Sequence, residues 1–474
     1  MGVIELNDGL SPRAIASLAA NAEAEAKRRA ASFRWNPSAA TATPPARGTP
    51  MRHGGAPLRV LVADDEGSAF QWIDDPRAEL FGPADPRAAQ PDIVVLTRID
   101  RLNFDRSAAS VPEEVWRRLA SGGAKLVLDA SSEGNAQTPK RTAAVHGFLE
   151  SRGVAVGDAA YITQDRGYAD AYAARCAELG LDARRMQVWV HDRHIRSTFA
   201  RYFGDGGAAF HQRLELYAAT KDRRPRRFIS LNHTLRPTKA MFLLRLLGDG
   251  MWDKGYISLG PADDRLRRLD PEPRRRLKRL RKDLPGFDDL IDELAPLLER
   301  LEALPPNVVG AADWRATPRA EQLKAPPFPE YQESWFTVVA ETEMTDRLHR
   351  ITEKPFKPLL NFHPMILLAS RGSLGLVRGY GFETFPGFFD ESYDDEPKLR
   401  RRFDLVYDQV ARLCAADEAE LARRNEAAAE AVVFNAYWGM VELPRLFRSH
   451  IDAALVDRLV QFARTEPAVM DATR

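Results

Sequence analysis

Short apolar runs recur along this chain, each separated from the next by a segment of helix or loop length, and this alternation restricts the fold more than any other feature. Leu58–Ala63, Asp92–Leu96, Lys125–Asp129 and Met186–Val190 form a first set. Arg227–Leu231, Trp335–Ala340 and Met365–Ala369 form a second, which Phe382–Phe385 is expected to close. Runs this short and this apolar read as strands buried on both faces. Such strands pair in parallel, and parallel pairs need crossover connections, usually helices. The expected fold class is α/β, with two open sheets in tandem and ligands taken in a cleft at the carboxyl ends of their strands.

The rest of the chain frames these sheets. A length of 474 residues suits about three domains, or two large ones with appendages. Residues 1–57 read as an appendage: an Ala-rich helical stretch over Ser11–Phe33, then a linker rich in Pro, Ala, Thr and Gly. Its apolar stripe, from Ile15 and Leu18, is weak, so the helix needs a partner surface. It is expected either to pair subunits in a homo-oligomer or to cover another domain. The two sheet domains are expected over 58–222 and 223–415, with closing helices over 416–474. Leu399, Phe403, Val406, Val410 and Leu413 fall on one helical face, and further helices are expected from Asp417 to Glu442 and from Pro444 to Thr465.

Composition excludes several function classes. With 68 basic and 67 acidic residues the net charge is +1, which gives no general attraction to nucleic acid or an anionic surface. Two cysteines, Cys176 and Cys414, are too few for a disulfide framework or a thiolate metal site. No run approaches the roughly 18 to 20 apolar residues of a membrane span, and Met1–Asp8 lacks the basic start and apolar block of a secretion signal. A cytoplasmic protein is expected. The basic tract over 265–282 is the one segment suited to peripheral contact with the inner face of a membrane, although acids between Asp288 and Glu302 can balance it. It has no interleaved aromatics for base stacking, so nucleic acid is not an expected partner.

Chemistry concentrates at two junctions. In the first, Thr352, Glu353, Lys354 and Lys357 stand just before the strand at Met365. Thr352 reads as a helix N-cap, whose unpaired N–H groups and dipole attract anions. Lys354 and Lys357 add two cations able to serve one diphosphate, and Glu353 is left to accept from sugar hydroxyls. Pro358 should shorten that helix. In the second junction, Asn232, His233, Arg236 and Lys239 follow the strand at Phe228. Glu341, just past a third strand end, is expected to line the same cleft.

These residues carry a resemblance. Thr352-Glu-Lys354 before a helix and a strand resembles the donor-site motif of alpha-1,3-fucosyltransferases and related GT-B glycosyltransferases. The longer pattern, through Lys357-Pro358, Gly372, Gly381-Phe382 and Asp390–Asp394, resembles bacterial and large-virus glycosyltransferases of surface polysaccharide synthesis. In that group an Asn-x-x-x-Arg motif with a following basic residue comes earlier, matched here by Asn232, Arg236 and Lys239. The similarity spans roughly residues 226–440, and two prolines after Lys354 depart from the fucosyltransferase pattern. The resemblance implies two Rossmann-like domains in a GT-B-like pair, with the last helices crossing back to the first domain. It also implies inverting transfer from a nucleotide-sugar donor to a glycan, lipid-linked or protein acceptor.

Inverting transfer needs a base for the acceptor hydroxyl, and by the resemblance it comes from a loop after a strand in the first domain. Glu133 is favoured, because Gly134 permits a tight loop, and Asp65 in Asp64–Glu66 is the second candidate. The plainer reading of either is a helix cap. No cofactor or metal is expected: the lysines offset diphosphate charge, and the acids over Asp390–Glu396 read as a loop and helix start. His191 and His194 have no third ligand nearby and read as satisfied loop histidines, and His363 as packing at a strand entrance. The alternatives are a sugar-nucleotide epimerase or phosphorylase on the same scaffold, and a non-catalytic binding protein.

Overall fold

The computed structural model describes residues 12–35, 56–63, 69–99, 102–132, 135–181, 185–200, 202, 204–220, 224–261, 272–307, 309 and 328–466. The fold is α/β, with one six-stranded and one four-stranded parallel sheet in two compact units.

The first unit is built on β1 (Leu58–Val62), β2 (Ala78–Phe81), β3 (Ile93–Leu96), β4 (Lys125–Asp129), β5 (Ala159–Thr163) and β6 (Gln187–Val190), in the order β2-β1-β3-β4-β5-β6. Every pair is parallel, with Val95 opposite Val127 and Leu128 opposite Tyr161. β3, β4 and β5 are buried throughout, as their apolar runs require. Val115, Trp116, Val145 and Leu149 belong to one core, and the second gathers Val60, Val95 and Ile162 with Leu455, Val456, Leu459 and Phe462. The helix Ala453–Ala463 therefore packs in the six-stranded unit. Residues 347–350 also belong there: the Arg166 N–H donates to the His349 carbonyl at 3.0 Å, and the His349 N–H to Asp165 at 3.0 Å.

The second unit holds β7 (Arg226–Asn232), β8 (Gly255–Leu259), β9 (Ser334–Ala340) and β10 (Met365–Leu368), in the order β10-β9-β7-β8. The expected strand at Phe382–Phe385 does not form. Its backbone is used otherwise, the Glu383 N–H donating to Asn435 at 2.8 Å and the Phe385 N–H to Glu391 at 2.7 Å. The edge belongs instead to β8, where a Cβ on Gly255 would stand 2.5 Å from the Phe228 ring. Gly381 ends the turn after the helix Ser373–Gly379 at φ 85°, pressed on the Trp438 ring.

The amino-terminal helix, Pro12–Ser32, packs within this second unit. Phe33 meets Trp438 at 5.7 Å between ring centroids, and Arg29 lies 4.3 Å over Phe434 while pairing with Glu383. The helix expected over 417–442 is broken at Ala428 into Glu418–Ala427 and Ala429–Tyr437. Two wider helical turns follow, Trp438–Glu442 and Phe447–Asp452. Among the described residues no helix is long and apolar enough to cross a membrane.

Candidate functional site

The site grows from the carboxyl ends of β7 and β9, which are hydrogen-bonded neighbours. Ile229 pairs with Thr337, and the Ser230 hydroxyl donates to the Val338 carbonyl at 3.2 Å. Continuing that register puts Asn232, the last residue of β7, beside the end of β9, with Glu341 one step on. Asn232 is fully buried; its amide donates to Ser230 at 2.8 Å, and its Oδ1 has no hydrogen-bond partner among the described residues.

The junction after β7 follows from Arg236-Pro237. A residue before proline is held extended, and proline suits the first helical position. Arg236 has φ −101° and ψ 162°, and the helix Pro237–Gly248 starts at once. Lys239 therefore falls in its first turn, where N–H groups lack intrahelical acceptors. Leu243, Leu246 and Leu247 on the same helix are buried, which fixes its position against the sheet.

Lys239 is 4% exposed, and its ammonium has no hydrogen bond or ion pair among the described residues. Burial, then the charge of Lys354, pulls its pKa down to about 7, with Glu341 and Glu353 opposing and Arg236 adding to the fall. That one group thus reports both junctions: Arg236 from its own, and Glu353 and Lys354 from the other, act on it together.

Glu341 organises the second junction. Its carboxylate is buried and accepts from the Thr352 N–H at 2.9 Å and the Thr352 hydroxyl at 2.8 Å. Lys354 Nζ donates to Thr352 Oγ1 at 2.9 Å and to Thr342 Oγ1 at 3.2 Å, and lies 3.6 Å from Glu341. Glu341 is a positioning group here, holding Thr352 and Lys354. Thr352 is no helix N-cap: the helix is a single turn, Phe356–Leu359, with Pro355 before it. The short helix follows from Pro355 and Pro358, and the anion attraction assigned to its dipole falls to the lysines. Glu353 Oε1 lies 3.8 Å from Lys354 Nζ and 3.9 Å from Lys357 Nζ, so the two lysines do flank one spot. His233 is half-buried in the first junction.

Four cations, Arg236, Lys239, Lys354 and Lys357, thus share a region with two carboxylates, Glu341 and Glu353. Arg236 is exposed and has no ion pair among the described residues. The surplus is two positive charges when every lysine is protonated, which suits a dianionic group such as a diphosphate. Thr342 was missed in the sequence; a hydroxyl directly after a strand end was its only signal.

Glu133 and Asp65 lie outside the described residues. The acids over Asp390–Glu396 bond within their own unit: Asp390 caps Ser392, Asp394 accepts from the Leu374 N–H at 3.0 Å, and Glu391 takes Thr384. Of the basic tract, Arg276 pairs with Glu299, Arg279 with Asp283 and Arg281 with Asp292, while 265–271 is outside the described residues.

The histidines divide. His363 is fully buried, with Nδ1 2.6 Å from Thr337 Oγ1 and Nε2 2.6 Å from the Ser334 carbonyl, a packing role as expected. His191 corrects its expected role, because it is buried with neither ring nitrogen hydrogen-bonded among the described residues. It follows β6, where Arg166 pairs with Asp192 and Arg196 grips Asp452 at 2.8 and 3.1 Å. Those ion pairs occupy its nearest charged groups and leave the ring without a polar contact.

Comparison with known protein families, with curated proteins and with solved structures returns no match.

Proposed function

We propose that this protein is a nucleotide-sugar-dependent glycosyltransferase of GT-B-like build. Asn232, Arg236, Lys239, Lys354 and Lys357 would hold the diphosphate of the donor, and Glu353, between Lys354 and Lys357, would accept from a sugar hydroxyl. The observation that carries this reading is the buried Lys239 side chain, whose ammonium has no hydrogen bond or ion pair among the described residues and stands among the cations of both junctions. A buried, unpaired charge is costly unless something else completes it.

In the reaction, an acceptor hydroxyl oxygen forms a bond to the anomeric carbon as the bond from that carbon to phosphate breaks. The departing nucleoside diphosphate keeps the electron pair, and the cations stabilise its growing charge. The hydroxyl proton goes to a base, for which Glu133 and then Asp65 remain the candidates. Attack from the face opposite the leaving group inverts the configuration. Because the cations already offset two negative charges, transfer should proceed without a divalent metal.

Thermal unfolding with GDP, UDP, CDP and CMP derivatives tests the reading. A donor at one hundred times its Kd should add about 2.7 kcal/mol of apparent stability. No response to any of them would defeat the proposal. Loss of transfer in chelator with recovery on adding manganese would defeat its metal-independent part.

A further inference from the structure

A cluster with surplus positive charge has to settle its protons as an anionic ligand arrives. We propose that nucleotide binding at this site is coupled to the uptake of one proton by Lys239. The inference rests on the donor-site reading above and adds to it how pH controls the site.

The geometry supports it in three ways. The Lys239 side chain is almost wholly removed from water and has no hydrogen bond or ion pair among the described residues. The charged groups acting on it come from three stretches: Arg236 from its own junction, Glu341 from the end of β9, and Glu353 and Lys354 from the stretch before the helix Phe356–Leu359. The two carboxylates are also claimed elsewhere, Glu341 by Thr352 and Lys354, and Glu353 by Lys354 and Lys357. Lys239 thus has little solvent contact and, among the described residues, no paired counter-ion to keep it charged. With its pKa near 7, it is divided between ammonium and amine in neutral solution. An arriving diphosphate supplies the missing negative charge and favours the ammonium, so a proton binds with it. Other lysines of the site do not share this position: Lys354 donates to two hydroxyls, and Lys357 lies beside Glu353.

The consequence is an affinity that falls as pH rises above about 7, by up to tenfold per pH unit, which is the limit for one linked proton. Calorimetric titration of the full chain with UDP and GDP, at pH 7.5 to 8.5 in two buffers of different ionisation enthalpy, counts the protons directly. Free nucleoside diphosphates are fully ionised in that range, since the last phosphate pKa is about 6. Uptake approaching one proton per nucleotide at pH 8 is expected. Lys239→Arg, charged at any pH, should bind with uptake near zero. Binding without proton uptake, or undiminished uptake in Lys239→Arg, overturns the coupling and leaves the donor site standing. If neither nucleotide binds, the donor site itself is overturned, and the coupling with it.

Discussion

Among the described residues two lysines are buried, one in each unit, and they are treated oppositely. Lys125 begins β4 in the six-stranded sheet at 3% exposure, with its ammonium paired to the equally buried Asp158. It also donates to the Glu466 carbonyl at 3.2 Å and lies 5.8 Å from the Phe462 ring. Lys239 is as deeply buried and has no such bond among the described residues. Desolvating an ammonium costs several kcal/mol, and only a well-placed counter-charge offsets it. Where the unit supplies that counter-charge, the lysine is part of the architecture. Where it does not, the lysine is poised for something the chain does not contain.

Stability measurements give the largest effect and the most direct way to break this contrast. Lys125→Met leaves Asp158 buried without its partner and should cost about 3–5 kcal/mol in urea unfolding. Lys239→Met removes a buried charge with no hydrogen bond or ion pair among the described residues, so it should cost less than about 1 kcal/mol or raise stability. Equal losses in the two variants would show that Lys239 has a structural counter-ion after all. Next in size is the ligand effect: Lys354→Ala should abolish the roughly 2.7 kcal/mol that a saturating nucleotide adds to the wild type. A normal thermal shift in that variant would remove Lys354 from the site.

Much of this contrast was legible in the sequence, but not the part that decides it. The apolar runs at β1, β3, β4, β6, β7, β9 and β10 announced two parallel sheets, since continuous Val, Ile and Leu have no other economical place. β2, β5 and β8 escaped because Ala78-Glu79, Ala159-Ala160 and Gly255 dilute the apolar signal, and their strand character comes from pairing with neighbours already in place. Phe382–Phe385 misled for the converse reason: its aromatics are buried, yet side chains rather than a ladder receive its N–H groups. Arg236, Lys239 and Lys354 were recognisable as cations near strand ends. That Lys239 is unpaired, that Glu341 is spent on Thr352, and that His191 lacks ring contacts depend on tertiary distances that no spacing encodes.

Acid separates the two units more gently, through their buried histidines. Burial lowers the pKa of both His191 and His363, so the native state prefers the neutral rings. The unfolded chain binds protons below about pH 6.5 while the folded one resists, and stability should fall there by up to about 1.4 kcal/mol per histidine per pH unit. His363→Phe should remove its share of that slope but cost stability at pH 7.5, because Thr337 Oγ1 and the Ser334 carbonyl lose a partner. His191→Phe should flatten the acid limb at little cost at pH 7.5, having no ring hydrogen bond to lose. Matching losses at pH 7.5 would mean that His191 is held by polar contacts equal to those of His363.

The smallest effect tests whether Glu341 acts by positioning. Thr352→Val keeps shape and volume but deletes the hydroxyl that donates to Glu341 and accepts from Lys354. Stability should fall by only about 1 kcal/mol, the usual net value of such a bond, since the Thr352 N–H still donates to Glu341. Nucleotide affinity should fall further than this local loss implies, because Lys354 is freed to close on Glu341 from its present 3.6 Å and leave the diphosphate position. Glu341→Gln separates the two contributions: it should release Lys354 and disturb the Thr352 bonds, weakening binding without removing any group that touches the nucleotide. If affinity in both variants tracks stability one for one, Glu341 and Thr352 are structural alone, and the contrast between a completed unit and an uncompleted one reduces to Lys239 itself.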